Sequence, residues 1–232
     1  MVLLTYFKRG VLMANSIFGI NAKKDVTPLL LGGLQGLEPR SGDSKIGIAT
    51  VVNGRIFSQQ VSGKVSNLHR LLSPKQPESH FGIAYQCQTT LEDTIHQPQL
   101  HVSSEIAVAY TGNIVNTDAS REELYALGYR FQTERESEVI LHYLHRYLDI
   151  NVGISPVEAM GLVLSRLEGY FSIIALFAQP EISMMAARRG CSLAVGVAQE
   201  TLYIGFDTTA LKLLAYPVMQ LEEGNAVVLR LV

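Results

Sequence analysis

Asn15-Ser16-Ile17-Phe18-Gly19-Ile20 is the stretch on which the fold is read. Two polar residues head a short apolar run that continues to Asn21, the pattern of a strand buried on both faces. Working outward, Asp25 is placed to cap a helix with Pro28 in its first turn. Leu29, Leu30, Leu34 and Leu37 recur there at helical spacing. Pro39 ends that helix, because the residue before a proline is driven out of the helical region. A polar, turn-rich loop follows through Ser44. Ile46–Val52 and Arg55–Val61 alternate like strands on either side of Asn53-Gly54, the strongest short signal for a hairpin. Val65–Leu72 reads as a short helix, and Ser73–Ser79, with two prolines, as a loop.

Phe81–Gln86 reads as a further strand and Cys87–Gln99 as a polar loop without periodicity. Glu105–Tyr110 is a buried strand that Thr111-Gly112-Asn113 is expected to break sharply. Asn116 or Asp118 caps the next helix, which carries Leu124 and Leu127 and stops at Gly128. Glu136 or Ser137 opens a longer helix to about Tyr147, with Val139, Ile140, Tyr143 and Leu144 on one face. Ser155-Pro156 starts a third, through Leu167. After Gly169 come strands at Tyr170–Phe177, Met184–Ala187, Leu193–Val197, Leu202–Phe206 and Ala226–Leu231, with a single helical turn at Leu211–Leu214. Hairpins and segregated helices favour α+β, with two antiparallel sheets covered by helices, over a doubly wound parallel sheet. No repeat or linker divides the chain, so one domain is expected.

Composition narrows the function classes. Of 232 residues, 47% are hydrophobic and 17% charged, enough for a sizeable core. The net charge of −2 is spread out with no basic block, which argues against nucleic acid or an anionic membrane as partner. No apolar run reaches transmembrane length. Lys8-Arg9 follows the apolar start instead of preceding it, the wrong order for a secretory signal. Met13 is an alternative start, and residues 1–14 are expected to be a loose extension ahead of a domain spanning 15–232. Cys87 and Cys191 are too few for a disulfide framework, which points to reduced thiols and a cytoplasmic location.

Four segments then resemble one family, the class II (N-terminal-nucleophile, Ntn) glutamine amidotransferases. Leu37-Glu38-Pro39-Arg40-Ser41-Gly42-Asp43-Ser44 is similar to the family's Leu-x-x-Arg-Gly-x-Asp-Ser loop. Gly82-Ile83-Ala84-Tyr85-Gln86-Cys87-Gln88-Thr89-Thr90 resembles Gly-x-x-His-x-Arg-Trp/Tyr-Ala-Thr. Ala107-Val108-Ala109-Tyr110-Thr111-Gly112-Asn113 resembles Ala-x-Ala-His-Asn-Gly-Asn, and Phe131-Gln132-Thr133-Glu134-Arg135-Glu136-Ser137-Glu138 resembles Phe-x-Thr-x-x-Asp-Thr-Glu. The resemblance implies a four-layer αββα sandwich of two antiparallel sheets. Its features are shared between the amidophosphoribosyltransferase and glucosamine-phosphate synthase branches. Both carry a second, synthase domain, which this chain, ending at Val232, is expected to lack.

The resemblance also implies a damaged active site. The family's opening strand begins Cys-Gly-Ile, its cysteine being nucleophile and its free α-amine the base. Here Asn15 stands at the cysteine and Ser16 at the glycine, and Ser16 would be the substitute nucleophile only after cleavage behind Asn15. The oxyanion pair, Asn-Gly in the family, is Thr111-Gly112. The arginine that clamps the substrate carboxylate is Cys87, which cannot form a bidentate ion pair. The aspartate for the substrate amine is Glu136. Arg40, Asp43, Thr90, Gly112 and Ser137 persist. The expectation is a non-catalytic binding or regulatory protein without cofactor or metal, its partner a small amino-acid-like ligand or another protein, with self-association left open. Because Cys87 leaves the carboxylate end unpaired, glutamine should bind poorly. The alternatives are an active amidotransferase or other chemistry in the same cleft. Cys87 reads as a loop or core cysteine, His142 and His145 as surface histidines, Arg188-Arg189-Gly190 as a turn, and Glu122-Glu123 as a solvated helix face.

Overall fold

The computed structural model describes residues 16–38, 44–72, 77–88, 97–150, 153–179, 184–206 and 208–230. Asn15, Arg40, Asp43 and Thr90 lie outside them, as does the expected N-terminal extension. In chain order the elements are β1 (Ser16–Ala22), α1 (Thr27–Leu37), β2 (Ser44–Val52), β3 (Arg55–Ser62), α2 (Val65–Leu71), β4 (Phe81–Gln88), β5 (Gln99–Val102) and β6 (Ile106–Ile114). They continue with α3 (Thr117–Ala126), α4 (Glu136–Ile150), α5 (Pro156–Arg166), β7 (Gly169–Phe177), β8 (Met184–Arg189), β9 (Ala194–Ala198), β10 (Thr201–Gly205), α6 (Thr208–Leu214), β11 (Val218–Gln220) and β12 (Ala226–Val228).

Two sheets form. One has the order β11-β9-β10-β1-β4-β2-β3, the other β12-β8-β7-β6-β5. Every pairing between these strands is antiparallel. The sheets are stacked, which accounts for the continuous apolar runs. Along β7, Ile174 and Leu176 pack between the sheets, while Phe171, Ile173, Ala175 and Phe177 pack against α3, α4 and α5. On β1, Ile17 faces the second sheet, and Ile20 joins Leu30 and Leu34 of α1, Leu68 of α2 and Leu211 of α6. Helices thus cover both outer faces, and the layering is α, β, β, α, as the element order implied.

Local signals account for most boundaries. The β2–β3 hairpin turns at Asn53 (φ 49°) and Gly54 (φ 71°), both left-handed as a two-residue turn requires. Ser155 and Glu158 form a capping box at the start of α5. Asp25 lies one residue before the N-cap of α1, Val26, and its Oδ1 accepts from Thr27 N and Ser79 N, 3.2 Å each.

Three expectations fail. β6 does not break at Thr111-Gly112-Asn113; it runs to Ile114, with Thr111 opposite Ser172 and Gly112 opposite Phe171. Gly112 holds φ +132°, and a Cβ there would strike the carbonyl of Tyr170 and the backbone of Phe171. Glycine thus lets β6 continue at a place where any other residue would end it. The segment 87–99 is not all loop, since Cys87 and Gln88 complete β4 and Gln99 opens β5. Arg188 and Arg189 belong to β8, and their guanidiniums bind main-chain carbonyls of Leu221, Cys191, Leu164 and Leu167.

Gly112→Ala should therefore cost about 3 kcal/mol or more, adding backbone strain to overpacking. Gly128→Ala should cost only about 1–2 kcal/mol, because its φ is +93° but nothing lies within 4 Å of the added methyl. Urea unfolding of the two variants measures the contrast.

Candidate functional site

The ends of several strands meet the start of α4. Ser16, at the head of β1, pairs with Gln86 of β4, and Cys87 follows, its side chain turned into the core between the sheets. On the neighbouring β5, Gln99 pairs with Tyr110 of β6, next to Thr111 and Gly112. Glu136 and Ser137 open α4 beside Gln99.

The loop before α4 takes its shape from Glu138, which is 1% exposed. Its carboxylate accepts from Gln132 N (2.7 Å), Thr133 N (2.8 Å) and Thr133 Oγ1 (2.6 Å). Burial pushes Glu138 up, but these hydrogen bonds, with the His101 ring, outweigh it and hold the carboxyl below its usual range. His101 of β5 lies 3.9 Å from Glu138 Oε1 and His142 of α4 lies 3.6 Å. From the other side, buried Arg121 donates to the carbonyls of Thr133 (3.0 Å) and Arg135 (3.1 Å) and stacks 4.4 Å from the Phe131 ring centroid.

This scaffold presents two opposite charges on consecutive half-buried residues. Glu136 Oε2 accepts from Gln99 Nε2 at 2.6 Å, and Gln99 Oε1 accepts from Ser137 N–H at 3.1 Å. One glutamine side chain thus orients the carboxylate and occupies a first-turn amide of α4. The Arg135 guanidinium lies against the Tyr85 hydroxyl, near the Cys87 thiol and the His101 ring. The Tyr85 hydroxyl donates to Gln60 Oε1 at 3.0 Å, and burial pushes its pKa up to about 12 despite Arg135.

Among the described residues neither Ser16 nor Cys87 is hydrogen-bonded to a side chain. Ser16 is 6% exposed, and among the described residues its hydroxyl reaches only the Ile17 carbonyl, at 3.5 Å. Cys87 is 1% exposed, with Sγ 3.8 Å from the Gln88 carbonyl. Burial pushes its thiol up against the opposing pull of Lys45 and Arg135, so it stays protonated at neutral pH. Among the described residues no group of His, Cys, Asp and Glu is arranged to hold a metal, and no helix is long and apolar enough to cross a membrane.

Of the residues marked from the sequence, Cys87, Thr111, Gly112 and Glu136 come to this end of the sandwich, and Ser16 sits beside them. His142 is not a surface residue; Phe131 and Tyr129 pack on its ring at 4.7 and 5.2 Å. Glu123 is engaged by Tyr143 and Arg166, so only Glu122 fits the reading of a solvated face. Arg135 and Gln99 went unmarked. Gln99 carries no signal in the sequence, whereas Arg135 carries one that could have been used: a cation next to the first turn of a helix opposes the helix dipole.

Two stacked antiparallel sheets between helical layers, with polar residues gathered at the strand ends, define a sandwich of the Ntn-hydrolase type. The chain belongs to the glutamine amidotransferase domain family, whose model matches residues 86–213. It is 36% identical over 217 residues to glutamine–fructose-6-phosphate aminotransferase [isomerizing] of Bartonella quintana, covering 92% of this chain and 35% of that protein. The enzyme of the same name from Zymomonas mobilis is 33% identical over 214 residues, with the same coverage. The chain thus spans about a third of the length of these relatives. Among solved structures, glutamine phosphoribosylpyrophosphate amidotransferase from B. subtilis superposes with a TM-score of 0.70 at 20% identity, over 90% of this chain and 45% of that one. A glutamine aminotransferase class-II domain protein from Silicibacter pomeroyi gives 0.57 at 11% identity, over 94% and 99%.

The Glu138 cluster makes stability depend on pH. Burial lowers His101 and His142 below their ordinary 6.5, although Glu138 pulls both upward. His142 further lowers His101, as does Arg135, and His145 lowers His142. Below 6.5 the unfolded chain therefore binds more protons than the folded one, and stability falls as pH falls. Glu138 contributes fully above the ordinary carboxyl value of 4.5, and that contribution is lost as pH drops through its lower folded value. Both effects have the same sign. Urea melts across this range should show stability declining in two stages, and the pair His101→Gln with His142→Gln should flatten the first while most of the second, set by the Gln132 and Thr133 hydrogen bonds, persists.

Proposed function

We propose that this chain is a glutamine amidotransferase-type domain that no longer hydrolyses glutamine and acts as a binding or regulatory module for a small amino-acid-like ligand. One observation carries the reading: among the described residues neither Ser16 nor Cys87 is hydrogen-bonded to anything but a main-chain carbonyl. A nucleophile needs a base within reach or a depressed pKa, and here both hydroxyl and thiol are buried without either. The asparagine side chain at position 15 cannot attack a carbonyl. Thr111 supports the same reading, since its hydroxyl is shorter than the amide that the resemblance places there. Loss of one oxyanion donor lowers rates by roughly two to three orders of magnitude. The amino-acid-like ligand is suggested by Glu136, whose half-buried carboxylate suits an amine. The free thiols of Cys87 and Cys191 fit a reducing compartment such as the cytoplasm.

Incubation of the purified chain with L-glutamine should release no ammonia above a protein-free control, and release that scales with protein concentration would defeat the proposal. Intact mass is read in parallel, because a chain beginning at Ser16 would restore the serine alternative. Asn15→Cys, with the residues before it removed, should still turn over at least about a hundredfold more slowly than an intact amidotransferase, because Cys87 and Thr111 remain.

A further inference from the structure

One oxygen of Glu138 faces a backbone amide and two imidazoles at once. Oε1 accepts from the Gln132 amide at 2.7 Å, and the Nε2 atoms of His142 and His101 stand 3.6 and 3.9 Å from the same atom. Oε2 is occupied by Thr133, which donates both its amide and its hydroxyl, at 2.8 and 2.6 Å. His142 Nε2 is buried without a hydrogen-bond partner among the described residues. At 3.6 Å it is too far from Oε1 to make one, so the neutral ring adds nothing to the hold on the loop.

Protons change this arrangement. A carboxylate oxygen offers two lone pairs. Gln132 uses one on Oε1, and the first charged imidazole takes the other. A second charged imidazole must compete with the Gln132 amide, and a charged donor is the stronger of the two. We propose that Phe131 and Gln132, in the loop before α4, form a proton-operated latch, closed while His101 and His142 are neutral and released when both are charged. The rest of the loop stays anchored, because Arg121 of α3 binds the carbonyls of Thr133 and Arg135 and Oε2 keeps Thr133. The other groups around the rings oppose their charge or leave it alone. His145 of α4, bonded to Ser103 Oγ at 2.9 Å, disfavours a charged His142, and Arg135 disfavours a charged His101. Tyr129 packs on the His142 ring, while Arg121 and Glu134 face each other at 3.7 Å. Burial holds both rings below their ordinary 6.5, so they take up protons more readily once the loop opens, and falling pH favours the open form. Because this loop leads into Glu136, the latch makes the edge of the candidate site acid-sensitive. Its action does not depend on whether that site holds a ligand.

The test is amide hydrogen exchange of the full chain, read residue by residue by NMR from about pH 7.5 to about pH 5, the span in which imidazoles titrate. After correction for intrinsic exchange, the Gln132 amide should lose at least about tenfold in protection relative to the Thr133 amide. Both amides donate to one side chain, so global unfolding lowers them together and only the latch separates them. Thr133 should hold until pH drops through the folded value of Glu138, below 4.5. His142→Phe and, separately, His101→Leu should keep the ratio of the two amides constant across the span, because release needs both imidazoles. Protection of Thr133 reports that each variant is folded, and the wild-type ratio decides the matter alone where one is not. The proposal is overturned if the two amides of the wild-type chain lose protection in parallel, if neither changes, or if a folded single variant keeps the tenfold separation.

Discussion

The buried carboxylate of Glu138 is the constraint on which this end of the molecule depends. Isolated in a low-dielectric interior it would be very costly, and it persists because three donors from Gln132 and Thr133 converge on it. Satisfying those donors folds the loop from Phe131 to Arg135 into one shape. That shape sets where α4 begins, and hence where Arg135 and Glu136 stand. His101 extends the same dependence to β5, and Gln99, two residues earlier, completes it by gripping Glu136 and Ser137. Edge strand, loop and helix start are therefore one mechanical unit.

Much of the sandwich was legible because its strands are buried on both faces. Tyr170–Phe177 could be little else than a core strand, and Asn53-Gly54 and Ser155-Pro156 announced a hairpin and a helix start through backbone chemistry alone. What failed to show has physical reasons. β5 has only four residues, of which only Leu100 is buried, so it offers no periodicity. Gly112 looked like a breaker, because a glycine that ends a strand and one that permits close approach of the next strand are the same letter. The difference lies in Phe171 across the ladder, which only the fold reveals.

The site was legible as a set of departures from a family pattern, and less so as a new arrangement. Cys87, Thr111 and Glu136 were marked because they occupy known positions. Arg135 was not, since its meaning comes from a spatial neighbour, Cys87, far away in sequence. A charge lost on one strand and a charge present at a helix start are connected only through the packing of β4 against the loop before α4.

The position of β1 has a consequence for how the chain assembles. It lies between β4 and β10, pairing Ser16 with Gln86 on one side and Phe18 with Gly205 on the other. One flank is thus completed by β10, a strand that follows most of the sandwich in sequence. During synthesis β1 emerges well before β10 and keeps an open edge until β10 has left the ribosome. Such non-local pairing slows folding and prolongs the exposure of an aggregation-prone edge. The strand that heads the family's catalytic machinery is, in this architecture, among the last to be closed in.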